Sequence, residues 1–206
     1  MTSKIESALR EAADRLPDPP DPAGAVSALA ERASAEGMLD VAYATVDSPL
    51  GPLMVAGTPR GLVRLSYSQF RDDEAVLSDL ARRVSPRVLE APARVDRVRR
   101  ELDEYFEGRR TKFELPIDWT LTRGFTTEVL RATAAVGFGH TTTYSEVART
   151  AGSPRAVRAA GNSLGSNPMP IVVPCHRVLR TGGGLGGYTG GLERKEFLLR
   201  LEGAII

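Results

Sequence analysis

"NPMPIVVPCHRVLR", residues 167–180, holds the only cysteine of a 206-residue chain and one of its two histidines. The segment decides the fold because "IVV" followed by Pro174 predicts a short buried strand, ended by a residue that cannot donate to a ladder. Cys175 is thereby placed at a strand end. Most free cysteines are inert core residues. Here, however, His176 and Arg177 adjoin the thiol, and a base and a cation are the groups that make a nucleophile of a thiol with pKa about 8.5. Neighbouring side chains point apart in an extended strand. His176 therefore reaches Cys175 only at a bend or through a bridging water.

Upstream, "TTYSEVARTAGSPRAVRAAGNSLGSNP" follows a helix predicted at 125–136 and the string "GFGH". Thr143 and Glu146 supply the T-x-x-E of a capping box, starting a short helix at Tyr144 that Gly152 ends. Ser153 is predicted to N-cap a second helix, with Pro154 at its first position, running to Gly165. Two helices joined by a tight glycine turn form either a DNA-reading helix-turn-helix or an ordinary helical hairpin. Arg155 and Arg158, set among Ala156, Val157, Ala159 and Ala160, make the second helix narrow and basic, as entry into a groove requires. Downstream, "TGGGLGGYTGG" matches G-x-G-x-x-G at Gly182, Gly184 and Gly187, but no strand leads into it and no acid follows at the required distance. The dinucleotide reading is rejected. The loop reads instead as one bending closely around something flat, with Tyr188 as a wall. The last helix, "LERKEFLLRLE", ends at Glu202, a carboxylate that opposes the helix dipole there.

The first part of the chain carries less chemistry. Residues 1–38 read as an extension: an amphipathic stretch (Ile5, Leu9, Ala12, Leu16), the breaker "PDPPDPAG" and an Ala-rich stretch to Gly37. From Leu39 three strands are predicted, with turns at Ser48-Pro49 and Pro59-Arg60-Gly61. A helix follows at 93–107 with Val95, Val98, Leu102 and Phe106 on one face, stopped by Gly108. The domain boundary is placed near Trp119. From Arg123 onward nine Arg and one Lys stand against five Glu, whereas the first 122 residues hold 17 bases and 21 acids. The asymmetry points to an anionic partner for the second part. No apolar run approaches the roughly 20 residues of a membrane span, and the N-terminus has no secretory h-region. A lone cysteine fits a reducing cytoplasm and excludes a multi-cysteine zinc site.

Together, "SNPMPIVVPCHRV", "TYSEVA", "RAVRAAGNSL" and "GGYTGGLERKEFLLRLE" resemble, in order and spacing over 125–203, the O6-alkylguanine-DNA alkyltransferases, also called methylated-DNA–protein-cysteine methyltransferases. The resemblance implies a two-domain α/β (α+β) fold. Residues 39–119 would form a small strand-rich ribonuclease-H-like domain, and 120–206 a mainly helical DNA-binding and alkyl-acceptor domain with the helix-turn-helix and the PCHRV active-site strand. It implies repair of double-stranded DNA containing O6-alkylguanine, extending to O4 of thymine. The base is flipped through the minor groove and its alkyl group moves irreversibly to Cys175, once per molecule, with no cofactor and no metal.

By the same resemblance His176, linked to the thiol by water and oriented by Glu202, activates Cys175, and Tyr144 donates a proton to guanine N3. Arg158 fills the space of the flipped nucleotide, beside Arg155, Ala156 and Val157 on the DNA. Asn167 braces the turn. Tyr188, Thr189 and Gly190 line the base pocket, with a backbone N–H near Thr189 facing O6, and the carbonyls of Cys175 and Val178 accept from the guanine amino group. Thr189 stands where many members have serine, and its methyl narrows the pocket. The zinc ligands of some members and the fused cysteine-rich activator domain of others are missing. The implied setting is a bacterial cytoplasm, and the implied state a monomer in solution, with cooperative assembly on DNA left open. Three rivals fit less well: a non-catalytic lesion sensor would lack the cysteine, a cysteine hydrolase gives Arg158 no role, and a plain helix-turn-helix regulator leaves Cys175 unexplained.

Overall fold

The alternating apolar pattern after Leu39 becomes β1 (Val41–Val46), β2 (Leu53–Thr58) and β3 (Gly61–Tyr67), an antiparallel meander, in the computed structural model, which describes residues 22–68 and 72–205. A fourth strand, β4 (Val88–Glu90), pairs in parallel with β1 to give the order β3-β2-β1-β4. Three residues are too few for a period-2 pattern to register, so β4 was not legible in the sequence. Nor was α2 (Asp73–Arg83), which Asp72 N-caps by accepting from the Glu74 N–H. Val76 and Leu80 of α2 pack with Val41, Met54, Ala56 and Val63 on one face of the sheet. On the other face lies α3 (Pro92–Phe106), burying Val95, Val98, Leu102 and Tyr105. That core continues without a break into Val129, Leu130, Val147, Leu164 and Leu198 of the second half.

The segment 1–38 is more than an extension where it is described. α1 (Pro22–Ala35) buries Ala30 and Ala33 and packs against β4. The amphipathic stretch Ile5–Leu16 lies outside the described residues. At the opposite edge of the sheet, β3 is covered instead of exposed: Leu62 N–H donates to the Pro116 carbonyl, Asp118 N–H to that of Leu62, and Leu65 N–H to that of Pro168. Covering an edge in this way blocks intermolecular pairing, and here it also ties the reactive stretch to the sheet. The approach at Pro116 requires glycine at Gly61, which has φ +132° and where a Cβ would fall 2.1 Å from the Pro116 oxygen.

The second half is helical: α4 (Gly124–Ala134), α5 (Tyr144–Thr150), α6 (Val157–Gly165) and α7 (Leu192–Leu201). The Thr143 hydroxyl accepts from Glu146 N–H as the capping box requires, but the Glu146 carboxylate pairs with Arg149 instead of returning to the cap. The second helix starts later than the Ser153-Pro154 signature predicts. Ser153–Ala156 closes as a turn (Ala156 N–H to Ser153 O, 2.9 Å), and α6 begins at Val157 without a side-chain cap. A residue before proline avoids the helical region, and Pro154 serves the turn. None of the described helices is long and apolar enough to cross a membrane.

Candidate active site

The stretch "NPMPIVVPCHRVLR" is buried as its composition demands, but it is not a strand. Ile171, Val172 and Val173 coil: Val172 N–H donates to the Pro170 carbonyl, Val173 N–H to Met169, and Cys175 N–H back to Val173. Ile171 is the only non-glycine residue with positive φ (+73°) among those described, a strained state for a β-branched side chain. Asn167 explains how it persists. Its Oδ1 accepts from Met169 N–H at 3.0 Å, and its Nδ2 donates to the Val173 carbonyl at 2.8 Å and to Cys175 Sγ at 3.2 Å. Three prolines remove the donors a ladder needs, and one amide side chain replaces them. Cys175–Arg177 then forms a single 3₁₀ turn. The strand of this region is the next two residues, β6 (Val178–Leu179), parallel to β5 (Thr142–Thr143). That pairing sets the start of α5, and with it Tyr144, beside the cysteine.

The 3₁₀ turn resolves how adjacent residues share a task. His176 is fully buried, and its Nε2 lies 2.9 Å from Glu202 Oε1. The Arg177 guanidinium does not serve the thiol. It clasps the same carboxylate, Nε to Oε2 at 2.8 Å and Nη2 to Oε1 at 2.9 Å, and also donates to the Val136 carbonyl. Tyr105 adds its hydroxyl to Oε1 at 2.6 Å across 97 residues of sequence. Burial by itself raises the Glu202 carboxyl, but the bonds from His176 and Arg177, with that from Tyr105, outweigh it and hold the group down at about 2. Burial pushes His176 below its usual value, against the pull of Glu202. The imidazole is therefore neutral with Nε2–H donating to Glu202, and Nδ1 is left as the acceptor. Nδ1 is buried and has no hydrogen-bond partner among the described residues, which is how an available base is presented. Burial raises Cys175 to about 11, only partly offset by the Asn167 hydrogen bond and the Lys195 charge. The resting group is a thiol, and its reaction requires a proton acceptor.

Cys175 opens into a cavity of about 240 Å³ whose walls include Tyr144, Gly161, Leu164, Tyr188 and Thr189. The Tyr144 hydroxyl lies 3.5 Å from the Gly187 carbonyl, a weak contact. Gly186 (φ +69°) approaches Tyr144 so closely that a Cβ would sit 2.6 Å from the hydroxyl. Thr189 Oγ1 donates to the Gly165 carbonyl, and Tyr188 shares a 2.8 Å hydrogen bond with Tyr67 of β3. Gly190 is not in the cavity wall; it is buried against the rings of Tyr67 and Tyr188, where a Cβ would come within 2.6 Å of Tyr67. The carbonyls of Cys175 and Val178 are already engaged, by Val178 N–H and by Lys195 Nζ at 2.6 Å respectively. Arg155 and Arg158 are exposed, with Ala156 and Val157 half-buried. Arg158 lies three residues before the cavity residue Gly161 on α6, one turn along the same face.

Three residues of this site escaped the sequence reading. Lys195 is fully buried and its Nζ donates to the carbonyls of Val178, Leu185 and Gly187, tying the Gly-rich loop down; burial lowers it to about 8. The signal was present: Lys195, Leu198, Leu199 and Glu202 follow i, i+3, i+4, i+7, which puts two charges on the buried stripe of α7. Tyr105 and Tyr67 gave no such signal, because each looks like an ordinary core aromatic until its partner is known.

Comparison with known proteins accounts for this geometry. The family model of the 6-O-methylguanine DNA methyltransferase ribonuclease-like domain matches residues 41–119, and that of the DNA-binding domain of the same proteins matches 124–204. Curated relatives named methylated-DNA–protein-cysteine methyltransferase include one from Methanosarcina barkeri, 36% identical over 160 residues, spanning 78% of this chain and 96% of the relative. Another, from Mycolicibacterium paratuberculosis, is 39% identical over 164 residues, 79% of this chain and 92% of its own. Among solved structures, Mycobacterium tuberculosis O6-methylguanine methyltransferase superposes with TM-score 0.68 at 36% identity, covering 80% of this chain and 93% of that one. The Mycobacterium tuberculosis OGT in complex with DNA gives TM-score 0.67, covering 79% and 93%.

Proposed function

This chain belongs to the 6-O-methylguanine DNA methyltransferase family, whose function is DNA repair by alkyl transfer to a protein cysteine, and we propose that Cys175 is the acceptor and that its neighbours act as follows. A guanine carrying an O6-alkyl group, or a thymine alkylated at O4, leaves the duplex through the minor groove and enters the cavity between Tyr144 and Tyr188. Extrusion is required because the alkyl carbon is inaccessible in the stack. Arg158, at the mouth of the cavity on α6, takes the vacated space, with Arg155, Ala156 and Val157 against the DNA. Tyr188 and Thr189 hold the base, with Gly190 supporting them from behind. The carbonyls of Cys175 and Val178 each retain a second lone pair for the guanine amino group.

The observation that carries the reading is the pairing of a buried neutral thiol with a buried neutral imidazole whose only engaged nitrogen is fixed by Glu202. His176 Nδ1 takes the thiol proton through a bridging water, and the Glu202 carboxylate stabilises the imidazolium that results, the logic of a triad. Sγ attacks the alkyl carbon, the carbon–O6 bond breaks, and its electron pair stays on the guanine. Tyr144 protonates N3, so that overall the thiol proton ends on the base. The thioether has no route back, so each molecule acts once. We read residues 39–119 as the supporting domain and 120–206 as the DNA-binding, alkyl-accepting one, acting as a monomer in a bacterial cytoplasm.

The test is to incubate the protein with a duplex bearing one O6-methylguanine and weigh both products. The peptide containing Cys175 should gain ~14 Da, one equivalent per lesion removed. Repeated turnover, or lesion loss without that gain, would defeat the proposal. Cys175→Ser should abolish transfer and retain DNA binding, which should weaken as salt rises.

A further inference from the structure

A second cavity, about 220 Å³, adjoins the first; Arg64, Ser66 and Tyr67 of β3 form one side, and Asn167, Pro170 and Thr189 the other. Thr189 belongs to both cavities, and Asn167, which donates to Cys175 Sγ, borders the second. The two spaces therefore meet at the sulfur and differ in chemistry. The first is walled by glycine backbone, Leu164 and tyrosine rings. The second presents a guanidinium and a hydroxyl from one face of β3: Arg64 pairs in register with Ala56 and Ser66 with Met54, two residues apart on the same side. Both are buried, 7% and 5% exposed. The Ser66 hydroxyl is buried in the cavity wall and has no hydrogen-bond partner among the described residues. A buried hydroxyl in that state is destabilising unless something completes it, and such groups call for a ligand.

We infer that this second cavity receives the far end of O6 substituents longer than methyl and favours those ending in a carboxylate. The inference rests on the proposed function, since the substituent must hang from a guanine held in the first cavity. The match is chemical: a guanidinium and a hydroxyl donate to a carboxylate in a charge-assisted set, whereas an alkyl terminus would leave both unsatisfied. The transfer itself is unchanged. The carbon–O6 bond breaks as the carbon–Sγ bond forms, the electron pair leaves with guanine, guanine gains the proton the thiol loses, and the tail passes intact to the sulfur. The tail's far end keeps the same partners before and after reaction.

The experiment compares single-turnover rates on three duplexes, with O6-methyl-, O6-pentyl- and O6-(4-carboxybutyl)guanine, the last two matched in length. Arg64→Gln should lower the carboxybutyl-to-pentyl ratio about tenfold, the loss of one charge-assisted contact, and leave methyl transfer as in the wild type. Ser66→Ala should lower it a few-fold in the same sense. An unchanged ratio in Arg64→Gln with methyl transfer intact overturns the inference. If Arg64→Gln slows methyl transfer too, Ser66→Val decides by filling the cavity: slower transfer of both long groups at an unchanged methyl rate supports the inference, and equal rates overturn it. Wild-type protein that fails on O6-methylguanine defeats the proposed function instead.

Discussion

The Cys175 turn and the Gly-rich loop form facing walls of one cavity, and they are held by opposite means. The turn is fixed from within: three prolines limit its backbone, Asn167 satisfies its polar groups across two, six and eight residues of sequence, and Met169, Ile171 and Val173 are fully buried. The loop is fixed from outside. Gly182–Gly184 are exposed, glycines adopt positive φ at 182, 183 and 186, and the anchors are Lys195 of α7 and Tyr67 of the sheet. A nucleophile must meet its target to within a fraction of an ångström, which favours a wall stiff by its own covalent chemistry. A wall that admits a flat base can be looser, provided it is tethered.

Substitutions on the two walls should separate them. Asn167→Ala strikes the turn hardest. It removes the partners of Met169 N–H and the Val173 carbonyl in a buried site, and should lower stability by roughly 2–4 kcal/mol, measured by urea unfolding, with transfer lost in parallel. Lys195→Met should leave the turn intact but free the loop. Stability should fall by about 1–2 kcal/mol, the cost of carbonyls left unpaired, while transfer slows about tenfold and protease cleavage at 181–187 rises. A Lys195→Met protein as damaged as Asn167→Ala would erase the distinction. Tyr105→Phe keeps the aromatic packing with Phe106, Phe113 and Phe138 and removes one of the donors on Glu202. A loss near 1 kcal/mol is expected, with transfer slowed a few-fold. Tyr67→Phe should have the smallest effect, under about 1 kcal/mol, seen only as a modest slowing for the base wall.

The carboxylate behind the turn adds a pH dependence. Glu202 is held from 4.5 down to about 2. A carboxyl depressed in the folded state stabilises above its unfolded value, and that contribution is lost as pH falls from 4.5 towards 2. Because burial also lowers His176, transfer should persist below the ordinary histidine range instead of falling off near pH 6.5. A rate that halves at pH 6.5 in single-turnover measurements would show that His176 is not the base.

Much of the site was legible because its chemistry lies in short strings. Cys175 with His176, Tyr144 behind a capping threonine, and Glu202 at a helix end each break a local rule, and such conflicts concentrate at functional sites. The predicted strand at 171–173 failed for a physical reason: an apolar run is equally buried as a strand or as a coil, and the Asn167 side chain, invisible to periodicity, chose the coil. Arg177 was misread because its partner, Glu202, is 25 residues away and reached only when α7 packs.

By itself, the sequence determined the strand meander, most helices, the acceptor and its immediate helpers, since these follow from patterns within a few turns of chain. Tertiary structure alone decided which nitrogen of His176 is left as base, how Arg177 and Tyr105 share Glu202, and that β3 brings Arg64, Ser66 and Tyr67 to the flank of the cysteine. Those are long-range contacts, set by how buried faces close on one another, and no local pattern of residues encodes them.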